Sequence, residues 1–428
     1  MRKIMRSVLS AALAVGLSVS LLSGCSGGAD PIKEAFDGKY TKDTVMMTVN
    51  GAEVTAEDLF FWMAQNVDYV AGYYTQMGME VDWSGPMGED ATIDDYVKDQ
   101  AKERVVLYNI VSAKAAEGGY TMSSEDKSAY EADLASAKEQ LGGDKEYETW
   151  LKTMLITDEG MERLSSVGVL YTHMMDGMFR DGGEKAPTTE ELAQYAQDQD
   201  LLCAKHILLM TKNAETGEDL PAEEAAAKKA KAEELLAELQ GITDPEELST
   251  KFDELMNENS EDTGLEANPD GYVFTDGQMV EEFENTTRAL EFNQVSGIVE
   301  SRYGYHIILR LDPSESQEVQ EGWANQQMEE QVQKWVDEAE VKTTEAFDEL
   351  STADFYTALT AYREAVEPKE ENEDAEMPAE EQPPAEEQTP AEETPAEEAP
   401  AEGEDAQAQP AEDGAADQNA EPEGEAAE

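Results

Sequence analysis

The chain has 428 residues, and its 97 acidic side chains against 30 lysines and arginines give a formal net charge of −67. A surface this negative argues against nucleic acid as a partner, which needs a positive footprint, and against anionic lipid as a direct contact. The apolar content is 40%, and the stretch between the two atypical ends is long enough for two packed cores.

The chain begins with an address. Arg2, Lys3 and Arg6 form a basic region, and residues 8–22 are an apolar run too short for a dependable membrane span but suited to a secretory signal. The run ends in Leu22-Ser23-Gly24-Cys25, which resembles a bacterial lipobox with small residues before the cysteine. The resemblance implies a signal peptide over 1–24 and a diacylglyceryl thioether on Cys25. Two acyl chains hold a protein stably on a membrane surface. An ordinary signal peptide with an incidental cysteine is the alternative. With Cys25 acylated, Cys203 is left alone and no intrachain disulfide can form.

Residues 25–43 read as a polar tether. Two apolar-alternating runs joined by Asn50-Gly51 then predict a β-hairpin over 45–54. Thr55 is the expected N-cap of a helix over 59–77, with Asp58 at the capping-box position. That helix places Leu59, Trp62, Met63, Tyr69, Val70, Tyr73 and Met77 on one side. Further helices are expected over 94–117, stopped by Gly118-Gly119, and over 124–141, stopped by Gly142-Gly143. Residues 147–180 are helical and rich in methionine (Met154, Met161, Met174, Met175, Met178), which suits either a core or a groove for varied apolar segments. His173 stands alone there, as a structural or exposed residue. Gly182-Gly183 and Pro187 mark a linker, followed by a short helix over 189–199.

The next unit alternates in type: strand 201–210, helices 222–240 and 245–257, strand 271–275, helix 279–291, and strands 297–301 and 305–311. That order indicates an α+β domain on a four-stranded antiparallel sheet. Residues 317–366 return to helix. From 367 to 428 the chain carries 24 acidic residues, one lysine and no aromatic, with Pro-Ala-Glu-Glu units at Pro378, Pro384, Pro390 and Pro395. Such a segment cannot bury enough apolar surface to offset its ordering entropy and is expected to be disordered. It accounts for −23 of the charge, leaving −44 on the rest.

Two of the three histidines occupy matching strand settings: His206 in Cys203-Ala204-Lys205-His206-Ile207-Leu208 and His306 in Tyr305-His306-Ile307-Ile308. Between them lie Ser260-Glu261-Asp262 and Met279-x-x-x-Phe283. This ordered set resembles the parvulin family of peptidyl-prolyl isomerases, and the hairpin leading into a helix resembles the start of PrsA- and SurA-like foldases. The resemblance implies a parvulin-like domain over 199–313. It also implies a helical chaperone lobe over 44–185 and a C-terminal helical segment, 314–366, packing on that lobe.

Residue by residue, the resemblance gives His206 and His306 as the histidine pair and Asp262 as the group near the rotating carbonyl. Met279 and Phe283, at i and i+4 on one helix face, cradle the proline ring. Ser301 and Tyr303 supply hydroxyls on the turn before the last strand. One departure stands out: an apolar wall residue of the family falls at Gly271, so that Tyr272 or Val273 has to compensate. The absence of a basic cluster argues against phosphate-directed specificity.

X-Pro isomerisation needs no nucleophile, cofactor or metal, and none is expected; two histidines alone are a poor metal set. The barrier is amide resonance, about 18–20 kcal/mol, so a catalyst holds the ring and binds the twisted amide better than the planar one. The functional expectation is an extracytoplasmic, lipid-anchored isomerase acting on unfolded or partly folded secreted polypeptides. Two alternatives stand beside it: a non-enzymatic holdase with a structural parvulin-like domain, and a substrate-binding or adhesive surface lipoprotein.

Overall fold

The computed structural model describes residues 30–367 apart from 89, 90, 181, 214 and 215. The expected signal peptide, Cys25 with its expected lipidation, and the acidic tail from 368 onward lie outside the described residues. No helix among the described residues is long and apolar enough to cross a membrane.

The short α1 (Pro31–Ala35) starts at Asp30, whose carboxylate accepts the Ile32 and Lys33 amides at 3.1 and 3.0 Å. β1 (Val45–Val49) and β2 (Ala52–Thr55) form the expected hairpin. Its turn residues Asn50 and Gly51 both have positive φ, 51° and 84°, as a tight two-residue turn requires. Thr55 and Asp58 close a reciprocal capping box on α2 (Ala56–Gln76). Leu59, Trp62, Met63 and Val70 are buried as expected, but Tyr69, Tyr73 and Met77 are exposed. The periodicity of the segment is right. However, the helix outruns the elements it packs on, and nothing in it beyond Ala71 is buried.

α3 (Ile93–Gly118) and α4 (Ser124–Leu141) begin at capping boxes and end at Gly119 and Gly142, both left-handed. The methionine-rich stretch is two helices, α5 (Asp144–Thr153) and α6 (Asp158–Phe179), parted by a turn in which Leu155 has φ +57°. Met161, Met174 and Met175 are buried, so these methionines serve as core. α7 (Thr189–Asp198) follows, started by a Thr188–Glu191 capping box.

The second sheet is built from β3 (Leu202–Met210), β4 (Tyr272–Phe274), β5 (Val299–Glu300) and β6 (Gly304–Leu311). They are all antiparallel, in the order β4-β3-β6-β5. α8 (Ala222–Leu239) and α9 (Pro245–Asn259) cover one face, packing Leu235, Phe252 and Met256 against Ile207, Leu209, Ile307 and Leu309. α10 (Glu281–Ala289) covers the other through Phe283, against Leu202, Ala204, Phe274 and Ile308. The fold is α+β, as expected.

After a 3-10 turn (Pro313–Glu315), α11 (Gln317–Asp337) packs Trp323, Met328 and Val332 against Leu107, Val111, Tyr171 and Met174. Residues 317–366 are not continuous helix. β7 (Val341–Thr343) interrupts them and pairs with β1, before α12 (Glu345–Asp348) and α13 (Thr352–Val366). A three-residue exposed strand leaves no periodic signal; it exists because β1 offers it a free edge. α13 closes an aromatic cluster in which Phe355 lies 5.0 Å from Phe60 and 5.4 Å from Phe36, ring centre to ring centre.

Candidate active site

β3 and β6 pair His206 with Ile308 and Leu208 with His306, so the two histidines are diagonal neighbours on one face. Their rings stack at 20° with centroids 5.3 Å apart, and the Nδ1 atoms meet at 3.1 Å.

Asp262 reaches this pair because β4 covers only the first residues of β3. Beyond them the outer edge of β3 is taken by the Ser260-Glu261-Asp262 step. The Leu208 N–H donates to Ser260 Oγ at 3.1 Å, the Glu261 N–H to Leu208 O at 2.8 Å, and the Met210 N–H to a Glu261 carboxylate oxygen at 2.8 Å. This stitching holds Asp262 Oδ2 3.0 Å from His206 Nε2. Oδ1 accepts the Gly264 N–H at 3.1 Å, and Oδ2 also accepts the Tyr272 hydroxyl at 2.5 Å. At the far end, Ser301 Oγ lies 2.7 Å from His306 Nε2 and accepts the Tyr303 N–H at 3.1 Å.

One polarity satisfies every member. The Asp262 carboxylate accepts only, so His206 donates from Nε2 and, as a neutral ring, accepts at Nδ1. His306 then donates from Nδ1 and accepts at Nε2, and the Ser301 hydroxyl donates to it. The His306 imidazole is neutral at physiological pH. The His206 bond, helped by those from Tyr272 and Gly264, holds the Asp262 carboxyl well below the usual carboxylate range against the opposing effect of burial. Burial, reinforced by His206, pushes His306 down to about 4. Burial and the bond to Asp262 push the Tyr272 hydroxyl up.

The apolar side of the site is Phe283, 3% exposed, with its ring 5.2 Å from His206, 5.7 Å from His306 and 5.7 Å from Phe274. Met279 is half-buried against the same cluster. The two do not share a helix face, because α10 begins at Glu281. Val280 is extended (ψ 143°), and the turn joining Thr275 to Gln278 holds Met279 ahead of the helix.

The departure at Gly271 has a backbone cause. Its φ is +103°, and a Cβ there would lie 2.9 Å from Ala204 O. Tyr272 fills the wall instead, its ring 5.7 Å from His206. Tyr303 contributes its backbone only. Its side chain is exposed and lies under the Arg302 guanidinium at 4.9 Å.

The cluster thus unites His206, His306, Asp262, Tyr272, Ser301, Phe283 and Met279. The Tyr272–Asp262 bond and the Ser260 stitch have no local signal in the sequence, since the stitch joins residues 52 positions apart. Burial pushes the Cys203 thiol up to about 12, so it is no nucleophile. No set of three or more metal-ligating side chains converges among the described residues.

The PPIC-type PPIase domain family matches residues 191–314. The foldase protein PrsA of Halalkalibacterium halodurans is 29% identical over 255 residues, 58% of this chain and 68% of that protein. PrsA of Oceanobacillus iheyensis is 29% identical over 217 residues, 50% of this chain and 60% of that protein. The crystal structure of PrsA from Bacillus subtilis is 18% identical, covering 78% of this chain and 96% of that one with a TM-score of 0.24. The chain spans about three fifths to two thirds of those two sequence relatives. Because the family match falls on the strands and helices that assemble the histidine pair, residues 191–314 are a PPIC-type parvulin domain, and the chain around it is similar to PrsA foldases.

Proposed function

We propose that this protein is an extracytoplasmic folding factor that accelerates cis–trans isomerisation of X-Pro bonds in unfolded or partly folded secreted polypeptides. It would be held at the membrane by a lipid on Cys25. The observation that carries this reading is the contact of the Phe283 ring with both imidazoles of a fully satisfied polar chain. An apolar seat for a proline ring thereby adjoins fixed polar groups.

In this reading Phe283 and Met279 hold the ring while Tyr272 walls the site. Asp262, anionic across the physiological range, faces the carbonyl oxygen and disfavours the resonance form that places negative charge there. His206 and His306 move no proton; they hold Asp262 and Ser301 in position. Each tenfold of rate requires about 1.4 kcal/mol of preference for the twisted amide, within reach of one such charge in a partly buried site. Residues 44–185 with 314–366 form the chaperone lobe, 199–313 the isomerase domain, and 367–428 an acidic spacer.

The test is protease-coupled isomerisation of short X-Pro peptides by the chain from Cys25 onward, beside Met279→Ala and Phe283→Leu. We expect acceleration by the unaltered chain and a loss of roughly tenfold in kcat/KM in each variant, about 1.4 kcal/mol of transition-state binding. A folded chain with no rate above background across several X residues would defeat the enzymatic reading and leave a holdase.

A further inference from the structure

Among the described residues nine large apolar side chains are exposed, and five of them fall between 69 and 87: Tyr69, Tyr73, Met77, Met79 and Met87. Scattered exposed apolar residues need no account, but a cluster marks a binding surface. Tyr69, Tyr73 and Met77 recur every four residues along the overhanging end of α2 and are 72%, 54% and 48% exposed. They form a ridge with a step of about 6 Å between side chains. Alternate side chains of an extended chain repeat at about 6.6 Å, so a strand-like segment laid along the ridge can set successive same-face residues against it. Gly72, between the tyrosines, has open space around it.

The field around this ridge has one sign. From Asp43 to Val97 the sequence contains eleven aspartates and glutamates and no lysine, arginine or histidine. Arg363, which reaches this helix beside Tyr69, is already held by both carboxylate oxygens of Asp68, at 2.6 and 2.9 Å. Glu80 and Asp82, just past the helix end, are exposed.

We infer that the Tyr69–Tyr73–Met77 ridge is a docking surface for extended, unfolded polypeptide in which lysine or arginine alternates with apolar side chains. This rests on the folding-factor reading but uses a different part of the molecule from the proline site. The protein's own tail is a poor occupant, since its 24 acidic residues are repelled by the same field.

The probe is a labelled, proline-free peptide of alternating leucine and lysine with interspersed glycines, compared with the same peptide carrying glutamate for lysine. Without proline it is no substrate for isomerisation, and the ridge variant leaves the isomerase site unaltered, so failure of the isomerase reading leaves this result untouched. By fluorescence anisotropy on the chain from Cys25 onward, the lysine peptide is expected to bind at least tenfold tighter than the glutamate peptide. Tyr69→Ser/Tyr73→Ser/Met77→Ser should weaken it at least fivefold with an unchanged thermal melt, and Glu80→Lys should narrow the gap between the two peptides. Equal affinity for both peptides, or a triple variant that binds like the parent, would overturn the inference. So would a dimer in sedimentation, or flotation with phosphatidylcholine vesicles, that the triple variant abolishes while peptide affinity stays put. The ridge would then belong to a second copy or to a lipid surface.

Discussion

At the scale of the residue, His306 is the most consequential group. Burial holds its folded pKa near 4 against an ordinary 6.5. Between those values the unfolded chain takes up a proton that the folded chain refuses, so stability falls as pH drops from about 6.5 toward 4. The span corresponds to roughly 3 kcal/mol. Asp262, depressed in the folded state, withdraws its own contribution only below its ordinary 3.8. An opposing effect exists: acid also relieves the mutual repulsion of a chain carrying −67. Urea unfolding at pH 7 and pH 4.5 should therefore be compared with that of His306→Gln, which has no titrating group. The parent is expected to lose on the order of 2–3 kcal/mol more than the variant between the two pH values. Equal slopes would mean that His306 is not held neutral by its surroundings.

At the scale of the element, the site depends on how closely β6 runs against β3. Gly304, where β6 begins, has φ +151°, and a Cβ there would come within 2.2 Å of Leu209 O and 2.9 Å of Met210 Cα. Both obstacles are backbone, so neither can move aside without disturbing the register that makes His206 and His306 neighbours. Gly304→Ala is expected to destabilise the protein by about 3 kcal/mol or more. Gly297→Ala is the control, since its Cβ would meet nothing within 4 Å. Urea midpoints that agree between the two variants would show that β6 can yield at Gly304. The same scale explains Asp262, which is delivered because β4 is too short to pair the whole of β3.

At the scale of the whole molecule, residues from both ends of the described chain complete one core. Phe347, Leu350, Phe355, Leu359 and Tyr362 are buried among Ile32, Met46, Phe60 and Val97. Each large apolar side chain contributes about 1.5–3 kcal/mol on burial. Five of them together rival the entire stability of an ordinary domain, about 5–15 kcal/mol. Truncation after Asp337 should therefore leave residues 30–180 without a cooperative fold, seen as loss of near-ultraviolet dichroism and rapid proteolysis. The sheet around His206 shares no core residue with this cluster, and its protease-resistant fragment is expected to persist. A truncated chain that melts at the parent temperature would refute the dependence.

The sequence by itself determined what depends on neighbours in the chain. Asn50-Gly51 demands a tight turn, Thr55 with Asp58 satisfies free amides at a helix start, and Gly119 and Gly142 end helices that only a left-handed residue can end. The ordered His206, Asp262, Phe283 and His306 set was legible as a resemblance to the parvulin family, carried by residue types in a fixed order along the chain. Only the tertiary structure decided what depends on distant neighbours. Tyr69, Tyr73 and Met77 continue an apolar period yet face water, because no element extends far enough to cover them. Val341–Thr343 becomes a strand because β1, nearly 300 residues earlier, has an open edge. Tyr272 joins Asp262 because the close approach of Ala204 leaves room only for glycine at 271. A local pattern says which faces are apolar; whether a face is covered, and by what, is set by contacts that no short window of sequence contains.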